Sequence, residues 1–204
     1  MVPARGLKAR AMSSEENPYI YVFKPKLMGM VHELALTQDS LDWVIGPGSG
    51  RVSYHMIKRI RLGYKPTNMA NARFIAEIWP LNAPKLTIYS VSARSLVDMA
   101  NQGGDYVRFI SELHRRMSAA KANCVYEAGF PAWRWWPAAI FALATVLAVA
   151  YIAVQAVIAA QYMLAGIIVL IGAWFLWQIW NIVKRNRPRQ YTPDAIPEDV
   201  LPNG

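Results

Sequence analysis

Between Ile57 and Lys65, the residues Ile60, Leu62 and Tyr64 alternate with Arg59, Arg61 and Lys65. At a period of two, one face of such a segment enters a core and the other presents three cations. Lys58 and Arg51 lie close by in sequence, with Arg73 not far beyond, and Lys24, Lys26, Arg115 and Arg116 could extend the same face. A row of cations on one strand binds the headgroups of an anionic lipid leaflet or the carboxylates of a partner protein, and a merely solvated positive face reads the same way. Near an anionic leaflet each cation contributes about 1 kcal/mol, so three or four give roughly 3 to 4 kcal/mol. That suffices to orient a domain at a membrane surface, not to anchor it.

No other residue set has the spacing of a reactive centre. His32, His55 and His114 are far apart, with neither His-x-x-x-His nor Glu-x-x-His spacing, and Cys124 is the single cysteine. A metal site or a disulfide framework therefore lacks its ligands or its pairs. Gly46-Pro47-Gly48-Ser49-Gly50 is rich in glycine, but a strand-like run follows it where a phosphate loop would need a helix N-terminus. It reads as a hairpin turn, and Asp39 and Asp42 read as turn residues. No catalytic residue, no cofactor site and no metal site is expected.

The elements that would carry these residues fall into three parts. In Tyr19 to Ser90, short alternating apolar stretches are punctuated by Gly, Pro, Asn and Asp. This pattern predicts seven strands: Tyr19 to Phe23, Val31 to Thr37, Leu41 to Ile45, Arg51 to Tyr54, Ile57 to Tyr64, Ala72 to Trp79 and Leu86 to Ser90. Tyr106, Phe109, Ile110, Leu113 and Met117 then recur at helical spacing, predicting an amphipathic helix from Asp105 to Ala120, with a weaker helical turn between Ser92 and Asn101. The fold class is α+β, a small β-barrel or curled sheet capped by a helix.

The order of these elements, and the run Trp43 to Leu62 in which a Gly-rich hairpin leads into Val-Ser-Tyr-His-Met-Ile-Lys-Arg-Ile-Arg-Leu, resembles the bacterial pleckstrin-homology-like (PH-like) domains. These domains are often attached to transmembrane helices. The resemblance covers roughly Tyr19 to Ala120. It implies a binding or scaffolding fold without an active site, and it carries over no ligand.

Charge is distributed very unevenly. The chain has 204 residues and 22 Lys plus Arg against 13 Asp plus Glu, a net charge of +9, yet no Asp, Glu, Lys, Arg or His occurs from Trp135 to Val183. That stretch is long enough for two membrane spans and excludes a wholly water-soluble protein. Pro137 to Ala159 predicts the first span, with Pro137 in its first turn, and Met163 to Val183 the second. About 23 residues at 1.5 Å each reach roughly 35 Å, enough for a hydrocarbon core of about 30 Å. Trp133, Trp135, Trp136, Trp177 and Trp180 are the expected interface anchors, with Lys184 and Arg185 at the end of the second span.

Arg115, Arg116, Lys121 and Arg134 precede the spans, and Lys184, Arg185, Arg187 and Arg189 follow them, while the connection at Ala160 and Gln161 is uncharged. The positive-inside rule then places both termini in the cytoplasm of a bacterial inner membrane. Ala138 and Ala142, Ala144 and Ala148, Ala156 and Ala160, and Gly166 with Ala173 are small residues at spacings that permit close helix approach. No charged residue lies within the spans, so proton relay and ion conduction lack their usual groups. The positive-inside excess also accounts for the high pI without nucleic-acid binding.

The expected organisation is a flexible basic tail (1–18), a cytoplasmic PH-like domain (19–121), a Trp-rich interface segment (122–136), spans at 137–159 and 163–183, and a basic then Pro/acidic tail (184–204). Its expected partners are the phospholipid bilayer and a membrane protein or further copies of the chain. The expected role is that of a scaffold or accessory subunit, with a sensor of anionic lipid as the alternative.

Overall fold

A computed structural model of the chain describes residues 19–25, 28–68, 71–93 and 99–202. The expected tail 1–18, Lys26, and residues 94–98 of the expected turn after Ser92 lie outside them. The chain forms two compact units, one comprising residues up to Ala128 together with those from Arg189 onward, the other Gly129–Pro188.

The first unit is mixed α+β. Strands β1 (Tyr19–Phe23), β2 (His32–Leu36), β3 (Ser40–Ile45) and β4 (Gly48–Ser53) form an antiparallel sheet in that order. Strands β5 (Ile57–Asn68), β6 (Asn71–Pro80), β7 (Leu86–Tyr89), β10 (Val125–Ala128) and β11 (Arg189–Gln190) form a second, ordered β11-β10-β5-β6-β7. Between them in sequence, β8 (Val91–Ala93) and β9 (Met99–Asn101) pair with each other, so strands stand at both ends of the segment expected to hold a helical turn.

All seven expected strands have counterparts, but they do not make one barrel or curled sheet. A one-turn 3-10 helix, Tyr54–Met56, separates β4 from β5 and interrupts the ladder. Tyr54 is fully buried there, and its hydroxyl donates to the Thr37 carbonyl at 2.7 Å, which fixes the break. Gly46 and Pro47 join β3 to β4 as expected of a Gly/Pro hairpin. Gly46 takes the left-handed φ of +56° that the first position of such a tight turn requires.

Helix α1 (Gly103–Ala119) follows the strands, and Tyr106, Phe109, Ile110, Leu113 and Met117 on its stripe are all fully buried. They share one core with Leu34, Leu36 and Leu41 of the first sheet and Ile60, Leu62 and Ile78 of the second. Helix and both sheets thus bury their apolar faces against one another, which is what makes their pairing stable.

Residues 189–202, expected as an extended tail, belong to this domain. β11 pairs with β10, matching Glu127 with Gln190 and Ala128 with Arg189. Tyr191, Ile196 and Leu201 pack on the core, and Val200 is fully buried within it.

The second unit is a helical hairpin. Helices α2 (Ala132–Ile158) and α3 (Tyr162–Arg185) are joined by three residues, with Ala160 at a φ of +56°. Pro137 lies six residues into α2 and not in the first turn, because the helix starts at Ala132 and takes Trp133, Trp135 and Trp136 into its opening turns. The close approach uses Gly172, whose built Cβ would stand 2.5 Å from Val149 Cγ1, together with buried Ala156 and Ala165. Ala165 and Gly172 are seven apart, so they return to one face of the helix. Gly166 and Ala173, the pair expected from sequence, sit one residue further round and are exposed.

Both helices are long and apolar enough to cross a membrane. Only 11% and 6% of their most apolar stretches are buried within the chain, the reverse of a core helix in a water-soluble fold.

Candidate functional site

The basic strand folds with a bulge. Across β5 and β6, Ile57 stands opposite Pro80 and Arg59 opposite Trp79, so Lys58 is an extra residue in the ladder. The bulge turns both Ile57 and Ile60 inward, fully buried, and returns Arg59 and Arg61 to the outer face. The expected alternation therefore holds from Arg59 onward, and the bulge leaves Lys58 exposed.

Three strands, β5, β6 and β10, and the loop before β7 bring a mixed-charge cluster together around Trp79. The Arg59 Cζ lies 5.7 Å, the Arg61 Cζ 5.2 Å and the Lys85 Nζ 4.7 Å from the Trp79 ring centroid. Each is within the range of a cation–π interaction. Arg61 donates to Glu127 through Nε at 2.9 Å and also through its terminal nitrogen, while Arg59 Nε stands 3.8 Å from the same carboxylate. Lys85 pairs with Glu77. Glu127 reaches this face because β10 runs parallel to β5 with Glu127 opposite Arg61.

The expected site residues separate. Arg59 and Arg61 meet at Trp79, and Lys65 is exposed further along β5, opposite Arg73. Arg51 is elsewhere: on β4 it grips Asp42 in two bonds of 2.7 Å, and Asp42 is nearly buried. Arg115 and Arg116 do not extend the face either, since both donate to Glu112 on their own helix and Arg116 also reaches the Leu36 carbonyl at 3.0 Å. The hydrogen bonds from Arg115 and then Arg116 hold the Glu112 carboxyl down at about 2.

Sequence reasoning missed Trp79, Glu77, Lys85 and Glu127. Trp79 and Glu77 alternate with the inward Ile78 and Ala76 of β6, a signal that was present in the sequence. Glu127 carried none, because its strand is four residues long and pairs across 66 positions.

A second polar constellation is internal. His114 is 1% exposed; its Nδ1 stands 2.7 Å from the Ile110 carbonyl and its Nε2 2.8 Å from the Tyr191 hydroxyl. A carbonyl only accepts, so Nδ1 carries the hydrogen and Nε2 accepts from Tyr191. Burial holds the imidazole down at about 4 and pushes the Tyr191 and Tyr126 hydroxyls up. The group fastens the returning C-terminal segment to α1. Cys124, half-buried, is raised to about 11 by burial and is no thiolate nucleophile.

Of the expected interface anchors, Trp133, Trp136, Trp177 and Trp180 are exposed by 60% or more. Trp135 instead donates its indole N–H to the Val183 carbonyl at 2.9 Å, tying the first turns of α2 to the last turns of α3. Lys184 and Arg185 close α3. No protein-family model, no curated protein and no solved structure matches the chain.

Proposed function

We propose that the chain is a non-enzymatic protein of a bacterial inner membrane, anchored by α2 and α3, whose cytoplasmic PH-like domain acts as a scaffold or accessory subunit for a membrane protein partner. The observation that carries this reading is the Trp79 cluster. A half-buried tryptophan flanked by arginines and rimmed by paired charges has the composition of a protein-contact hot spot. The same cluster argues against a headgroup site, since the three cations Arg59, Arg61 and Lys85 are offset by the two carboxylates Glu77 and Glu127. Little net positive charge is left for an anionic leaflet. A tethered domain also meets a membrane partner at high effective concentration, so a modest patch suffices.

Full-length protein carrying a photo-cross-linking residue at Arg59, irradiated in its native membranes, is expected to join one membrane protein. Trp79→Ala should cut the recovery of that partner about tenfold or more, equivalent to about 1.4 kcal/mol. Arg108→Ala, on the exposed side of α1, should leave it unchanged. Equal recovery from all three would remove the Trp79 cluster as the contact.

Topology gives a separate check. With Cys124→Ser as background, Gln161→Cys in the connection should react with a membrane-impermeant maleimide added outside spheroplasts, and Ser118→Cys at the end of α1 should react only after lysis. The opposite pattern would invert the protein.

A further inference from the structure

The strands of the domain deliver one loop to the end from which the chain departs for the hairpin. β10 leads to Ala128, the last domain residue before the helices, and lies parallel to β5 with Ala128 opposite Leu62. β5 continues beyond Leu62, placing Lys65 at that end. β7 is antiparallel to β6 and so runs in the direction of β5. Just past β7, Ser90 bonds Phe74, and Ser92 Oγ accepts the backbone N–H of Lys24 at 3.0 Å. Lys24 follows directly on β1, so the β1–β2 connection emerges at the same end.

That connection carries an apolar tip. Met28 is 99% exposed, Met30 56% and Val31 49%. Met30 is seated over the Gly46 turn, where any Cβ would collide with its sulfur. From Lys24 to Val31 the sequence holds two lysines and no acid. Loop tips ordinarily use Gly, Pro, Asn, Asp and Ser, so bare methionines there need a partner. Cations beside large apolar side chains suit the headgroup–acyl boundary of an anionic bilayer, and the unbranched, soft methionine adapts to disordered chains.

We propose that the β1–β2 connection is a membrane-surface anchor in which Met28, Met30 and Val31 enter the boundary layer of the bilayer while Lys24 and Lys65 face anionic headgroups. The Trp79 cluster lies towards the other end of β5 and β6, so the two surfaces operate independently. The inference rests on reading α2 and α3 as spans, which incorporation of the chain into lipid nanodiscs tests first.

The test uses the full chain with Cys124→Ser, labelled with an environment-sensitive fluorophore at Met28→Cys or, beyond the far end of β6, at Leu81→Cys. In nanodiscs of mixed phosphatidylcholine and phosphatidylglycerol, the Met28 probe should emit to the blue of the Leu81 probe. Acyl-brominated lipids should quench it several-fold more strongly. Water-like emission at Met28, or equal quenching at both positions, would overturn the proposal. A blue shift without lipid quenching would assign the tip to a protein partner and overturn it equally. A chain that stays outside the discs would remove the spans and the anchor together.

Discussion

Acidification from pH 6.5 to 4 is expected to cost the α+β domain about 3 kcal/mol through His114 alone, at about 1.4 kcal/mol per pH unit. The unfolded chain protonates this imidazole near its ordinary value of 6.5, whereas burial delays protonation in the folded domain to about 4. Above 6.5 both states hold it neutral and His114 adds no pH dependence. Between the two values only the unfolded state takes up the proton, so stability falls as the pH falls, and below about 4 the loss is complete. The structural reason is desolvation: the ring is buried beneath Tyr126 and Tyr191, where the charged form loses its hydration and the neutral form already has both nitrogens bonded. A loss of this size is a large share of the 5–15 kcal/mol typical of a domain. Melts of the full chain in mild detergent, followed by near-ultraviolet circular dichroism from pH 7 to 4, should show the decline. His114→Gln should be less stable at neutral pH but decline less steeply. Parallel curves for the two proteins would show that the imidazole is not responsible.

His114 also shows where the sequence was legible and where it was not. Its helix was readable because five apolar residues repeat at spacings of three and four, and the strands from Tyr19 to Tyr89 because their alternation is local. The same holds for the two long apolar helices, whose signal is an unbroken absence of charge. What escaped were relations between distant segments. Val125–Ala128 contributes only Tyr126 and Ala128 to the core, too short a pattern to register as a strand, and its parallel partner lies more than sixty residues earlier. The C-terminal segment reads as solvated because Pro193, Asp194, Pro197, Glu198 and Asp199 dominate it. Its anchors, Tyr191, Ile196, Val200 and Leu201, are scattered through that composition without a helical or strand period. The barrel failed for a different reason: each strand was identified, but nothing local says that Tyr54 turns the chain out of one sheet and into another. At the basic face, alternation placed Arg59 and Arg61 outward, while the carboxylate that partners them arrives on the strand that could not be seen.

Gly129→Ala is expected to open the base of the helical hairpin. Gly129 has a φ of +83°, a conformation that costs a residue with a Cβ roughly 1–2 kcal/mol. The added Cβ would stand 2.4 Å from the Arg187 carbonyl oxygen and 2.5 Å from that of Asn186, and backbone atoms cannot swing aside as a side-chain tip can. Asn186 is held in turn, since its backbone N–H and its side-chain Nδ2 both donate to the Ile182 carbonyl, at 3.1 Å and 3.0 Å. The two chain segments must therefore part, breaking the 2.9 Å bond from the Phe130 N–H to the Asn186 carbonyl. Strain and overpacking together come to about 3 kcal/mol, which should speed hydrogen exchange at the Phe130 amide about a hundredfold. Gly104→Ala makes the contrast. A Cβ there meets nothing within 4 Å, and the site is the second residue of α1, so the change should be neutral or stabilise by up to about 1 kcal/mol. Unchanged exchange at Phe130 in Gly129→Ala would mean the passage is loose. A large increase would show that one glycine lets the chain leave and re-enter the domain on adjacent strands, where Ala128 pairs with Arg189.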